Sequence, residues 1–215
     1  VVGSGLARLH FVVRGRVGRP LPEVDAQALE ARLVEATRAW SDDFDDALVD
    51  QCGEERAAVL QRRYADGFPE GYKDEFPART SVADVRQIEG LTEDGAMALN
   101  LYTPLGAGPD ERRFKVVSLG KPISLSEVLP VLQKLGVEVV DERPYTIERQ
   151  EASPAYLYDF GLRADARAAA GGAGAGGGAF GGADGKGLFE GAFAAIWSGK
   201  AESDILQARL APDMK

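Results

Sequence analysis

Carboxylates at helical spacing are the first chemistry this chain offers. Asp42, Asp46 and Asp50 fall at i, i+4 and i+8, with Asp43 and Asp45 between them. On a helix such residues share one face, and stacked carboxylates can hold a hard cation such as Mg²⁺ or Ca²⁺. They also repel one another and hydrate readily, so a solvent-facing acidic ridge is the expectation. Glu23 with Asp25, and Asp141 with Glu142, stand close enough for acid/base work. Neither pair is accompanied by a nucleophile or a metal ligand. His10 is the one histidine and Cys52 the one cysteine. That excludes multi-histidine and multi-thiolate metal centres and any disulfide within the chain. His10 alternates with apolar neighbours and reads as a half-buried structural residue, and Cys52 reads as a bystander beside Gly53. No catalytic residue and no metal site is expected.

Two glycine patterns point toward anions. Residues 172–177 spell G-x-G-x-x-G. A dinucleotide site needs a strand before that motif, a helix after it and an acidic residue at the end of the next strand. Here Ala-rich sequence precedes it and more glycine follows, so the match is one of composition. The stronger candidate is residues 120–126, Gly-Lys-Pro-Ile-Ser-Leu-Ser. This turn joins an expected strand to an expected helix, where backbone N–H groups and the positive end of a helix dipole converge. Gly120, Lys121, Ser124 and Ser126 are therefore the expected ligand-binding set, suited to an anion such as an amino-acid carboxylate. A plain strand-to-helix turn with its cap satisfied is the alternative.

The elements that would position these residues follow from composition and periodicity. The 215 residues are 45% hydrophobic and 27% charged, enough for one large domain or two small ones. A net charge of −9 disfavours nucleic-acid and membrane-surface roles. No apolar run approaches the ~20 residues of a bilayer span, and a reducing cytoplasm is the expected compartment. Residues 6–14 read as a strand, and 16–22 as a basic loop. Pro22, Glu23 and Asp25 suit a helix start. Leu29, Leu33, Ala36, Trp40, Phe44 and Leu48 then make one apolar stripe, which predicts a helix over 23–50. A second helix is expected over 54–64. Residues 67–77 carry too many breakers for a regular element, although Phe68, Tyr72 and Phe76 should pin them to a core. Ser81 with Asp84 resembles a capping box opening a helix that ends near Gly90.

After residue 95 the texture changes to strands at 97–103 and 114–119. A helix with an S-x-x-E start at Ser124 and Glu127 follows, and Pro130 is tolerable only near its first turn. Gly136 stands where a helix C′ residue belongs. Residues 137–149 form one bent or two short strands, and 155–163 another. The order β, β, α, β, β predicts an α+β fold, an antiparallel sheet with helices on one face. The Ala/Gly-dominated stretch 164–187 reads as a flexible linker, and Leu188 to Trp197 as an amphipathic helix.

The run from Gly120 to Tyr145 resembles a segment of the large bacterial NAD-specific glutamate dehydrogenases. So do Leu9 to Arg14, Arg38 to Asp42, Phe68 to Tyr72 and Phe189 to Asp204; residues 205–215 depart from the family pattern. The resemblance implies that the chain is an internal piece of a longer polypeptide, upstream of its catalytic domain. It implies an ACT-type, ferredoxin-like module, permuted relative to a simple βαββαβ order, with the long helical segment inserted after the first strand. The expected divisions are 1–94, a strand plus helices packing on the sheet; 95–163, the ACT-like module; 164–187, the linker; and 188–215, a helix and tail. By the same resemblance the parent enzyme oxidatively deaminates L-glutamate to 2-oxoglutarate with NAD, and no catalytic residue or cofactor carries over to this segment. The expected role is regulation or assembly, with the rest of the enzyme, other subunits and an amino-acid effector as partners. A stand-alone amino-acid sensor using the 120–126 turn, and a purely structural spacer, are the competing readings.

Overall fold

A computed structural model describes residues 25–30, 39–108, 110–164, 180 and 184–199. The expectations for His10, the 6–14 strand, the 16–22 loop, the 172–177 glycines and the 205–215 tail lie outside these residues. The chain divides into two units, Val1–Ala39 and Trp40–Lys215.

In the first unit residues 26–30 are helical. Asp25 caps them: its Oδ1 accepts the N–H groups of Gln27 and Ala28, both at 3.0 Å. Among the described residues this helix begins after Asp25, whose carboxylate satisfies two of its first-turn donors.

The second unit opens with four helices. The first is α1 (Trp40–Cys52), and Ala39 before it is not helical, so the 23–50 stripe is not one continuous helix. Trp40 marks the start because its ring stacks on Phe44 at 5.0 Å and its indole N–H donates to the Phe76 carbonyl at 2.8 Å. Gly53 separates α1 from α2 (Glu54–Tyr64), as expected. The 67–77 stretch does contain a regular element, the single-turn helix α3 (Glu70–Glu75). Pro69 is its N-cap, so the breaker precedes the helix and does not interrupt it. Phe68, Tyr72 and Phe76 are all buried, with centroids 4.8 and 4.7 Å apart in succession.

The fourth helix, α4 (Ala78–Glu89), begins at Pro77 and ends at Gly90. The Ser81/Asp84 pair is not its capping box. Ser81 lies one turn inside, its Oγ donating to the Pro77 carbonyl at 3.2 Å, and Asp84 is 2% exposed.

Among the described residues the sheet has four antiparallel strands in the order β1-β2-β4-β3, with β1 (Met97–Tyr102), β2 (Glu111–Leu119), β3 (Val137–Ile147) and β4 (Ala155–Ala164). β2 and β3 both run antiparallel to β4 and are therefore parallel to each other, joined through α5 (Leu125–Lys134) across the place that β4 fills. The last described helix, α6 (Gly185–Trp197), packs on β1 and α5. Placing β1 after α6 would give βαββαβ, so this is a permuted ferredoxin-like arrangement. β3 is one strand, kinked by a bulge between Val139 and Asp141. Within the stretch 164–187, Ala164 ends β4 and residues 185–187 begin α6. Pro130 sits beyond the first turn of α5, where its missing N–H frees the Ser126 carbonyl. Both residues are exposed, so water can satisfy that group.

Alternation along the strands sorts two cores onto opposite faces. Leu101, Phe114, Val116, Phe160 and Leu162 meet α5 and α6 through Val128, Leu132, Phe189 and Phe193. Val117, Leu119, Ile147, Ala155 and Leu157 meet the four-helix segment through Leu48, Leu60, Tyr64, Val85 and Ile88. The β3–β4 hairpin also grips that segment by backbone: Glu148 N–H donates to the Gly67 carbonyl at 2.9 Å, and Gln150 N–H to the Arg63 carbonyl at 2.9 Å. A Cβ at Gly67 would collide with the Glu148 carbonyl oxygen. Gly67→Ala should therefore cost about 1–3 kcal/mol, the usual penalty for overpacking. Urea unfolding checks this, and an unchanged midpoint would mean that the hairpin and the α2–α3 loop do not touch.

Candidate functional site

The 120–126 turn brings its four expected residues together at the end of β2. Gly120 has φ +67°, and the space a side chain would need is filled by the Asp94 carboxylate. Much of the donor chemistry there is already spent. Gly120 N–H donates to the Pro154 carbonyl at 2.8 Å, Lys121 N–H to the Leu119 carbonyl at 2.8 Å, and Ile123 N–H to the Tyr158 hydroxyl at 2.9 Å. Ser124 is the N-cap of α5 but makes no side-chain cap bond, and its Oγ lies 2.6 Å from Ser126 Oγ. Lys121 is exposed. What the turn offers a ligand is Lys121, the two hydroxyls and the first-turn N–H groups of Leu125 and Ser126, which have no intrahelical acceptor.

The acidic ridge lies on α1 with Asp42, Asp45, Asp46 and Asp50 exposed and Asp43 half-buried. Asp50 pairs with Arg79 at 2.6 Å. Partial burial, then the charges of Asp42 and Asp46, push the Asp45 carboxyl above its ordinary value. Among the described residues no cluster of three or more His, Cys, Asp or Glu could hold a metal.

The most heavily constrained charges lie between the sheet and the helices. Lys115, in the middle of β2, is 6% exposed, and its Nζ is 2.5 Å from Asp84 Oδ2 on α4. The Tyr72 hydroxyl donates to the same oxygen at 2.6 Å. The ammonium also sits over the Phe76 ring, 3.8 Å from its centroid. Burial, then the Asp84 carboxylate, drives the Tyr72 hydroxyl well above its ordinary value, so it stays a donor. A second clasp gathers on Glu89 at the end of α4. It takes Arg63 at 2.6 Å, Arg56 at 2.9 Å, the Tyr64 hydroxyl at 2.9 Å and, from the β3–β4 hairpin, Arg149 at 3.3 Å. Burial raises the Glu89 carboxyl, but the bonds from Arg63 and Tyr64 and the charges of Arg63 and Arg149 outweigh it, and its value is lowered.

A third group stays within the sheet. Asp159 on β4 is fully buried, its Oδ2 accepting from Arg113 Nε at 2.8 Å and from the Tyr102 hydroxyl at 3.0 Å. Burial raises its carboxyl against the pull of Arg113. None of these residues was among the expected site residues, although Tyr72 and Phe76 were expected in the core and Asp84 in a helix start. The signal was present: Lys115 interrupts the apolar run 114–119, and Asp159 stands amid Tyr, Leu and Phe in 156–160.

Three family descriptions match the chain in order. Residues 1–41 match "Glutamate dehydrogenase, ACT2 domain", 47–91 "Glutamate dehydrogenase, helical motif 2", and 96–173 "Glutamate dehydrogenase, ACT3 domain". The second covers most of α1 through α4 and the third covers β1 to β4, so both charged clasps bridge helical motif and ACT sheet. Similar curated proteins are the NAD-specific glutamate dehydrogenases of Halomonas elongata, 35% identical, and of Pseudomonas aeruginosa, 29% identical. That of Mycobacterium tuberculosis is 27% identical. Each match takes in 94% of this chain, which spans only 12% of the length of those relatives.

Two outcomes follow from the clasps. Lys115→Met leaves Asp84 buried without its cation and should cost about 3–5 kcal/mol, whereas the paired change with Asp84→Leu should recover much of that loss. Strictly additive losses in urea unfolding would contradict a coupled pair. The second concerns Glu89, whose lowered folded value means that its contribution is present above the ordinary carboxylate value of 4.5 and fades as pH falls through the folded value. Glu89→Gln should lower stability near neutral pH and flatten its acid limb, as thermal melts across pH would show.

Proposed function

Because this chain belongs to the NAD-specific glutamate dehydrogenase family, as a segment that holds ACT-type domains and a helical motif, we propose that it is a non-catalytic regulatory and assembly segment. The parent reaction is the oxidative deamination of L-glutamate to 2-oxoglutarate with NAD, carried out by groups elsewhere in a longer cytoplasmic, oligomeric polypeptide. Its partners are the rest of that enzyme, neighbouring subunits and an amino-acid effector. The β2–α5 junction is a poor fit for the pyrophosphate of NAD. It has a strand, a glycine turn and a helix, but the Gly120, Lys121 and Ile123 N–H groups that would meet a pyrophosphate are engaged internally.

The observation that supports the regulatory reading is the bonding of helical motif to ACT sheet by Lys115–Asp84 and Arg149–Glu89. Sliding β2 past α4 would strand a buried ammonium and a buried carboxylate, which is costly in a low-dielectric interior. A ligand or subunit contact on the sheet therefore moves the helices with it, as a rigid-body displacement.

A second reading, an amino-acid sensor at Gly120, Lys121, Ser124 and Ser126, draws support from exposed Lys121 and the unspent first-turn N–H groups of α5.

The test uses both the isolated chain and the parent enzyme. The 215-residue chain should show no glutamate-dependent NAD reduction and no thermal shift with NAD. The parent enzyme carrying Lys115→Met should still bind NAD while losing subunit association or its response to amino acids. Turnover by the isolated chain, or a parent variant unaltered in both respects, would sink the proposal. For the sensor reading, an amino acid at a hundred times its Kd should raise the melting midpoint by about 5–10 °C. No shift with any amino acid would dispose of that reading alone.

A further inference from the structure

The two edges of the sheet are built differently. β3 carries protection against strand pairing: the bulge between Val139 and Asp141, Pro144, and the charges of Glu138, Asp141, Glu142 and Arg143. β1, Met-Ala-Leu-Asn-Leu-Tyr, has no charge and no proline, and its register with β2 is unbroken. Leu119 N–H donates to the Ala96 carbonyl at 3.0 Å, which turns Ala96 toward β2. Alternation then turns residues 98, 100 and 102 inward and the N–H and C=O groups of Met97, Leu99 and Leu101 outward. Among the described residues the acceptor that meets this row is a carboxylate, Glu190 Oε1 on α6, 2.7 Å from the Leu101 nitrogen. A side chain stands where a strand's carbonyl would.

α6 runs over the same edge, with Lys186 bonded to Asn100 Oδ1. The charged residues of α6 are Lys186 and Glu190, while Gly187, Leu188, Gly191 and Ala194 are exposed on its outer side. A helix that is apolar on nearly every side is one that is covered in its working state. Nothing lies within 4 Å of a Cβ built at Gly187 or Gly191. A strand added to β1 brings the helix above it alongside α6, and these glycines let that helix come close.

We propose that β1 pairs antiparallel with β1 of a second copy of this chain, joining the two sheets, with α6 against α6. A two-fold axis at Leu99 sets Leu99 opposite itself and Leu101 opposite Met97. Every outward group then finds a partner, and a carbonyl of the copy replaces Glu190 on the Leu101 N–H. The copy is favoured over an unrelated strand because this edge complements itself. Lys186 and Glu190 are of opposite sign, and the small residues of one helix meet those of the other. The proposal names the surface for the assembly reading above and rests on that reading only in the parent enzyme.

The test uses sedimentation equilibrium and amide hydrogen exchange on the 215-residue chain. A monomer–dimer equilibrium is expected, with exchange at Met97 and Leu99 slowing as concentration rises. Gly191→Glu sets like charges against each other across the axis and should weaken association by about tenfold or more. The melting midpoint of the monomer should not fall, since glutamate suits a helix better than glycine. A chain that stays monomeric in the submillimolar range, with those amides exchanging freely, overturns the proposal and leaves β1 to a strand from elsewhere in the parent enzyme. A dimer that Gly191→Glu leaves intact also overturns it, while assembly through another surface would still stand.

Discussion

A lysine in the middle of a strand that is buried on both faces is the constraint on which the rest of this structure depends. Residues 114–119 of β2 are covered by α5 and α6 on one side and by the helical motif on the other. An ammonium at position 115 cannot reach water from there, and an unpaired charge in such a place would be prohibitive. It is tolerated because α4 presents Asp84 to it and α3 presents Tyr72 and the Phe76 ring. Those partners lie in the helical motif and the lysine in the ACT sheet. Neither part, taken alone, satisfies its own buried charge.

The dependence extends outward from that pair. Asp84 shares the buried face of α4 with Ser81, Val85 and Ile88. Phe68, Tyr72 and Phe76 hold α3 against Trp40 and Phe44 of α1, and Tyr145 of β3 closes the cluster from the sheet side at 5.3 Å from Tyr72. The hairpin beyond Ile147 then clasps Glu89 and the α2–α3 loop. Apolar packing supplies most of the attraction. The charged pairs and backbone bonds add geometry, since each is satisfied in one docking register only. Among the described residues, helices and sheet are joined by buried charge pairs and backbone bonds as well as by apolar packing.

Much of the architecture was legible in the residues. Apolar, strand-like runs marked β1 and most of β2, the S-x-x-E start and Gly136 bounded α5, and Phe68, Tyr72 and Phe76 were placed in the core by their spacing. The failures share a cause. The helix over 23–50, the capping box at Ser81 and the irregular 67–77 stretch were read from local signals. In each case a contact remote in sequence decides the outcome, such as Trp40 with the Phe76 carbonyl or Asp84 with Lys115. The candidate turn was located correctly as a strand-to-helix junction. Its sequence could not reveal that Pro154, Leu119 and Tyr158 take up its donors, because two of those partners come from the start of β4, beside the turn in space but remote from it in sequence. Lys115 and Asp159 carried a visible mark, a charge inside an apolar run, whose meaning depends on both faces being covered.

The central claim, that helical motif and ACT sheet form one cooperative body, is tested most directly by native-state hydrogen exchange in rising denaturant. The amides of Val85 and Ile88 on α4 should exchange with the same opening free energy as those of Val116 and Val117 on β2, merging into a single global unfolding. Exchange of the α4 amides through a separate opening of lower free energy, with β2 still protected, would contradict it.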